Sequence, residues 1–301
     1  MSHKTMIDGV AYEISGGKTL VGGTAYSIAG GKTLVGGTAY DISFLSPDPI
    51  LANNDPATIQ KVVQNGQAEN YWSVGDIVPI VLNGTVGRLT FSNETYYAFI
   101  IDFNHNIDWE APSGSVYSIH FQFGKTSAGV DIAFVDSNYG STGSSAGFRM
   151  NTSNSNSGGW NGSYMRKTIC PAFLAAMPTA WQNVIAACTK YSDNTGGGSN
   201  TASYVTTTSD KIWLLSEFEV QGTRSYANSA EQNYQKQYDY YKNGNSKAKY
   251  KHNATTTACL WWLRSVFAAT AHGFCSVHFE GSAGISSACD SFGFAPGFMV
   301  A

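Results

Sequence analysis

Cys259-Leu260-Trp261-Trp262-Leu263-Arg264-Ser265 opens the C-terminal stretch of this chain, and Phe294-Ala295-Pro296-Gly297-Phe298-Met299-Val300 all but closes it. Phe274, Val277, Gly281, Ala283, Ala288 and Gly293 continue this frame of apolar and small residues between the two ends. The gaps hold a different mixture: Phe267, Ala269, Thr270, His272, Gly273, Ser276, His278, Phe279, Ser282, Gly284, Ile285, Ser286, Ser287, Asp290 and Phe292. A buried strand selects β-branched and large apolar residues, and a solvent face selects charge. The gap positions follow neither rule. Aromatics interleaved with small polar residues are instead the composition of a binding surface, in which rings supply area and hydroxyls supply adaptable hydrogen bonds. The reading is a rigid frame carrying a ligand face, with Trp261, Trp262, Leu263 and Phe298 in the core. Arg264 is expected in a structural ion pair or in hydrogen bonds to backbone.

The Trp-Trp-Leu-Arg-Ser opening and the Ala-Pro-Gly-Phe ending resemble the variable region of proteins diversified by retroelements in phages and their bacterial hosts. Such proteins display their variable residues on a C-type-lectin-like fold, so the resemblance implies a receptor-binding protein with no catalytic residues and no cofactor. The diversification rewrites adenines, and an asparagine codon randomised at both adenines never yields Trp, Met, Gln, Lys or Glu. Between Val266 and Phe294 the first four are absent, and Glu280 is the one departure. The resemblance is strong over the C-terminal stretch, loose from Trp72 to Leu263, and makes no claim on the N-terminal repeat.

That repeat reads Gly9-Val10-Ala11-Tyr12-Glu13-Ile14, then Gly23-Thr24-Ala25-Tyr26-Ser27-Ile28, then Gly37-Thr38-Ala39-Tyr40-Asp41-Ile42, with Gly-Gly-Lys-Thr-Leu-Val-Gly-Gly between copies. Each unit is expected to form a short strand pair at Gly-Gly turns. One such unit cannot bury its own apolar face, which points to attachment or oligomerisation. Gly16-Gly17-Lys18-Thr19 and Gly30-Gly31-Lys32-Thr33 lack the preceding glycine and following helix of a phosphate-binding loop. Residues 1–45 are therefore assigned to the repeat and 46–301 to the ligand-binding domain, whose variable region spans about 266–292.

Within the larger domain, Asp55 is placed to cap a helix from Pro56 to Asn65 with Ile59, Val62 and Val63 inward. Strands are expected near Ile77 to Leu82, Tyr96 to Phe103, Ser115 to Phe123 and Lys211 to Ser216. A helix from Tyr164 to Ile185 is interrupted at Pro171 and Pro178. Asn194 to Ser209 reads as a loop, and Tyr226 to Tyr250 as a surface insertion. The class is α+β. By resemblance, the C-terminal domain is C-type-lectin-like, the fold shared with formylglycine-generating enzymes.

Composition excludes some partners. Net charge is -3 and pI near 6.0, whereas a nucleic-acid surface needs clustered Lys and Arg. No stretch approaches a membrane span or a secretory signal. The expected partner is an unknown cell-surface protein or glycan, with other virion proteins or further copies of the chain met through the repeat. The expected location is a virion tail tip or fibre, made in the bacterial cytoplasm.

Metal chemistry finds little support. Asp102, Asn104, Asn106 and Asp108 alternate as calcium ligands do, but a tight-turn glycine and a bidentate glutamate are missing, so a polar turn is expected there. Cys170, Cys188, Cys259, Cys275 and Cys289 are odd in number and read as mostly buried thiols, with Cys275 and Cys289 candidates for exposure. His272 and His278 read as contact residues. Two other classes stay open: a cysteine oxidoreductase related to formylglycine-generating enzymes, using Cys259, Cys275 and Cys289, and a structural virion protein whose C-terminus is inert.

Overall fold

Alternating Tyr and Ile between Gly-Gly punctuations produce hairpins, as the repeat predicts. β1 (Lys4–Ile7) pairs with β2 (Val10–Glu13), β3 (Gly17–Val21) with β4 (Thr24–Ile28), and β5 (Gly30–Val35) with β6 (Thr38–Ser43), all antiparallel. Thr5 faces Tyr12, Thr19 faces Tyr26 and Thr33 faces Tyr40, so each copy folds on itself in one register. The computed structural model describes residues 47–143 and 147–301 in full, and these six strands by their backbone. The Gly-Gly turns at 22–23 and 36–37 lie outside the described residues. The chain divides into two units, Met1–Pro49 and Ile50–Ala301.

In the larger unit α1 (Pro56–Gln64) starts where capping chemistry puts it. Asp55 accepts from the Thr58 amide at 2.9 Å, Pro56 occupies the first turn, and Ile59, Val62 and Val63 face inward. After α2 (Ala68–Tyr71), β7 (Ile77–Val86) and β8 (Leu89–Phe103) form a long hairpin. α3 (Ile107–Glu110) follows, and β9 (Ile119–Lys125) then pairs with β8. Beyond β10 (Ile132–Ala133), α4 (Gly159–Gly162) precedes the helical stretch, in which a π-helical turn at Met165–Ile169 runs into α5 (Cys170–Ala176) and Pro178 separates α5 from α6 (Thr179–Val184). Pro171 sits in the first turn of α5 and Pro178 just before α6, where a missing N–H costs nothing.

The rest of the chain supplies β11 (Ile185–Ala186), β12 (Cys188–Asp193), β13 (Val205–Asp210), α7 (Glu217–Gln221), α8 (Asp239–Lys242), β14 (Lys249–Lys251) and β15 (Ala254–Cys259). β16 (Trp261–Val266), β17 (Gly273–Val277), β18 (Ala283–Ser287) and β19 (Gly297–Val300) complete it. The main sheet has the order β11-β19-β9-β8-β7. The final strand thus lies between β9 and β11, with Phe298 opposite Phe121 and their rings stacked at 5.0 Å. A second sheet, β16-β17-β18, carries the C-terminal frame, and β10-β14-β15 form a third. The fold is mixed α+β with sheet predominating, and no described helix is long and apolar enough to cross a membrane.

Three expectations are corrected. Residues 205–209, expected in a loop, form most of β13 against β12, because Val205 and the threonines that follow are β-branched. Lys211 to Ser216 is not a strand. Ile212 to Ser216 are buried, but the segment's backbone bonds to strands at isolated points: Trp213 and Gly297 exchange hydrogen bonds of 3.1 and 2.7 Å, and the Arg264 amide donates to the Leu215 carbonyl at 2.9 Å. Tyr226 to Tyr250 is not a surface insertion, since Tyr238, Tyr240 and Tyr241 are core residues. Their hydroxyls meet Lys190, Lys125 and Gln122 at 2.8, 2.9 and 2.6 Å, which lets a Tyr-rich and polar-looking segment go inside.

Candidate functional site

The frame of the C-terminal face is anchored by polar bonds as well as packing. Trp261 and Trp262 are buried, and their indole N–H groups donate to the carbonyls of Lys247 (3.0 Å) and Phe148 (2.9 Å). Arg264, also wholly buried, grips both carboxylate oxygens of Glu219, one of them at 2.7 Å, and donates to the Leu214 carbonyl at 2.9 Å. Beside it, Ser265 donates to Glu231 at 2.6 Å. The Trp-Trp-Leu-Arg-Ser motif therefore contributes two indoles and two polar side chains to the interior. Burial works against charge on both ion-pair partners, yet Arg264 and Lys190 hold the Glu219 carboxyl well below its ordinary range, and Glu219 keeps the guanidinium protonated.

On this base the gap positions fall into three stretches. Residues 267–272 form a loop between β16 and β17 whose backbone is held from one distant side chain. Asn156, fully buried, donates through Nδ2 to the carbonyls of Thr270 (2.8 Å), Gly273 (2.9 Å) and Phe267 (3.3 Å). Its Oδ1 accepts from the Gly197 amide at 2.9 Å. Residues 278–282 turn from β17 to β18, closed by the bond from the His278 amide to the Ser282 carbonyl (2.9 Å) and braced by Gln221 on the Gly281 carbonyl (3.1 Å). β18 and residues 288–292 form the third stretch, and the Ala288 amide bonds to the His272 carbonyl at 2.9 Å.

The side chains divide as the frame-and-gap reading expects, with exceptions. Ala269, His272, Phe279, Ser282 and Ile285 are exposed, with Phe279 at 55% and Ile285 at 39%. Phe267, Thr270, His278, Ser286, Ser287, Asp290 and Phe292 are half-buried. Phe267 meets Tyr226 edge-on at 5.7 Å, while Phe292 packs on Trp262 and Tyr139 at 5.2 and 5.8 Å. Burial raises the Asp290 carboxyl above its usual range. Gly273, Ser276 and Gly284 do not reach the surface. Ser276 is 0% exposed on the central strand β17, its hydroxyl 3.3 Å from that of Ser286. Gly284 lies beneath the His278 ring, and a Cβ there would fall 2.1 Å from its Cδ2. The absence of a side chain at 284 is what seats the imidazole.

Cys275 and Cys289, candidates for exposure, are buried, and all five cysteines are free thiols. Burial pushes the Cys259 thiol up to about 12 and raises Cys275 well above its usual range, so both favour the protonated form.

Among the described residues, two buried groups have metal-compatible spacing: Glu110, His120 and Cys188, and His105, Glu110 and Glu219, with ligand atoms within 4.8 Å of one another. The ammonium of Lys190 already lies there, donating to Glu110, to Glu219 (3.2 Å) and to the Tyr238 hydroxyl (2.8 Å). The chain thus supplies its own cation. Between β8 and α3 the chain makes a tight polar turn, with Asn104 and Asn106 at φ 52° and 47° and Asp102 bonded to His105 at 2.7 Å.

Asn156, Gln221 and Tyr226 position the face although nothing in the sequence marked them. Each acts across a long chain separation, and a lone Asn in a Ser/Asn-rich stretch carries no local signal. No curated protein and no solved structure matches this chain. The sequence model of a family described as a domain of unknown function, DUF6273, matches residues 138–301, from just before the helical stretch through the entire C-terminal face. As that match covers more than half of the chain, the protein belongs to the DUF6273 family.

Proposed function

We propose that this protein is a retroelement-diversified receptor-binding protein of a phage or prophage. In this reading residues 50–301 adopt a C-type-lectin-like fold that presents the C-terminal stretch to a cell-surface protein or glycan, and the hairpin repeat attaches it to a virion tail tip or fibre. The observation that carries it is the division of burial. Of fifteen gap positions three are buried and twelve are exposed or half-buried, while Trp261 to Val266 and Phe294 to Val300 are buried throughout. Substitution at solvent-facing positions changes stability by no more than about 0.5 kcal/mol, whereas core changes cost several times that. Recognition can then vary while the fold persists. The raised thiols of Cys259 and Cys275 lend no support to the oxidoreductase alternative.

The test is to sequence the DNA flanking the gene. A near-copy of its 3′ end beside a reverse transcriptase, differing only where the copy carries adenine, supports the reading. Mismatched codons should fall on exposed positions such as Ala269, His272, Phe279 and Ile285. A gene with no such copy sinks it.

A further inference from the structure

The chain has seven tryptophans, and six of them, Trp72, Trp160, Trp181, Trp213, Trp261 and Trp262, are 4% exposed or less. Trp109 is 45% exposed. Its ring lies 5.7 Å from Tyr191 and 5.5 Å from Tyr234, and these two tyrosines stack on each other at 4.7 Å with 5° between their planes. The three rings come from α3, from β12 and from the turn after residues 229–233, so tertiary structure assembles the cluster.

The cluster is held rigidly from behind. Asn106 Nδ2 donates to the Tyr234 carbonyl at 2.8 Å, and Gln235 Nε2 donates to the Tyr191 carbonyl at 2.7 Å. Lys190 and Ser192, which flank Tyr191, are 0% exposed. A large exposed aromatic is unfavourable in water unless something covers it, and a pre-ordered one loses little entropy on binding.

The chemistry of the rim indicates what would cover it. Both phenol hydroxyls lack a partner among the described residues, as do the exposed side chains of Asp108, Gln232 and Asn233 beside the rings in sequence. The cluster therefore offers aromatic surface with two phenol hydroxyls, and its sequence neighbours add two neutral amides and one carboxylate. An aliphatic partner would leave those polar groups unpaired. A sugar ring presents weakly positive C–H groups on its face and hydroxyls at its edge, matching both parts at once. We propose that Trp109, Tyr191 and Tyr234 form a binding site for a neutral pyranose of an oligosaccharide, built from none of the C-terminal face positions.

Trp109 is its own reporter, since the other indoles are buried. Tryptophan emission of the full chain is titrated with cellohexaose, chitohexaose and maltohexaose, and binding is measured in parallel by calorimetry. At least one sugar should give a saturable change in emission. Trp109→Ala and Tyr234→Ala should each weaken binding about tenfold, the scale of one lost stacking contact, while Trp109→Phe retains most of it. Near-ultraviolet circular dichroism checks that each variant is folded. The proposal is overturned if none of the three sugars changes the emission, if Trp109→Ala binds the sugar as tightly as wild type, or if decaproline alone titrates Trp109, which would mark a peptide site.

Discussion

The carboxamide nitrogen of Asn156 lies 2.8 Å from the carbonyl oxygen of Thr270, a bond that spans 114 residues of chain. With its companions on Gly273 and Phe267 it makes the backbone of the 267–272 loop independent of the loop's own side chains. Replacing Asn156 with Ala leaves the Thr270 carbonyl and the Gly197 amide without their partner and takes one of two donors from the Gly273 and Phe267 carbonyls, at a cost of about 3 kcal/mol. Denaturant unfolding should show that loss. Amide exchange should quicken first at 267–273, and equal exchange across wild type and variant would remove the clamp from the account.

Arg264 and Glu219 are both 0% exposed, so removing Glu219 takes the carboxylate from a buried guanidinium, and removing Arg264 leaves the buried Glu219 with Lys190 as its remaining ion-pair partner. Arg264→Ala should cost about 3–5 kcal/mol. Glu219→Gln should also destabilise strongly, because Lys190 loses a partner. The double variant is expected to cost less than the sum of the two by about 0.5–3 kcal/mol, as fits residues in direct contact. Additive losses in the double-mutant cycle would argue that the pair is not a unit.

Exposure also separates the gap positions from one another. Phe279→Ser and Ile285→Ser should leave stability within about 0.5 kcal/mol. Phe292→Ala, which removes a ring from Trp262 and Tyr139, should cost about 1–2 kcal/mol. Sequence alone placed the three in one class. If Phe279→Ser unfolds the protein at the temperature where Phe292→Ala does, the division of the face is wrong.

The frame was legible because its signal is local: two tryptophans in a row and an apolar ending can only be satisfied inside. The α1 cap at Asp55 was legible for the same reason, and so were the parts of β7 and β8 at Ile77 to Leu82 and Tyr96 to Phe103, though not the hairpin that joins them. Tyr226 to Tyr250 misled because Tyr, Gln and Asn look like surface until their partners are known, and Tyr238 finds His120 from 118 residues away. Ser276 misled because a gap position on a central strand looks the same in sequence as one on an edge strand. Gly284 carried no sign that its missing side chain makes room for His278.

Glu231 gives the fold a pH dependence of defined sign. Burial raises its carboxyl from 4.5 to about 7, although Ser265 and the Asp193 amide hydrogen-bond to it. The unfolded chain therefore gives up this proton before the folded protein does, and rising pH favours unfolding through this group. Its contribution is fully present below about pH 4.5 and is lost as pH climbs to 7, up to about 3 kcal/mol. Glu219 works in the opposite direction, since its lowered carboxyl stabilises the fold above pH 4.5 and loses that effect as pH falls. Glutamine at 231 mimics the neutral acid: its oxygen accepts from the Asp193 amide and its nitrogen donates to the Ser265 hydroxyl. Glu231→Gln should match wild type near pH 4 and become progressively more stable than wild type towards pH 7. Melting temperatures of both proteins across that range provide the check, and two parallel curves would mean that Glu231 does not titrate between them.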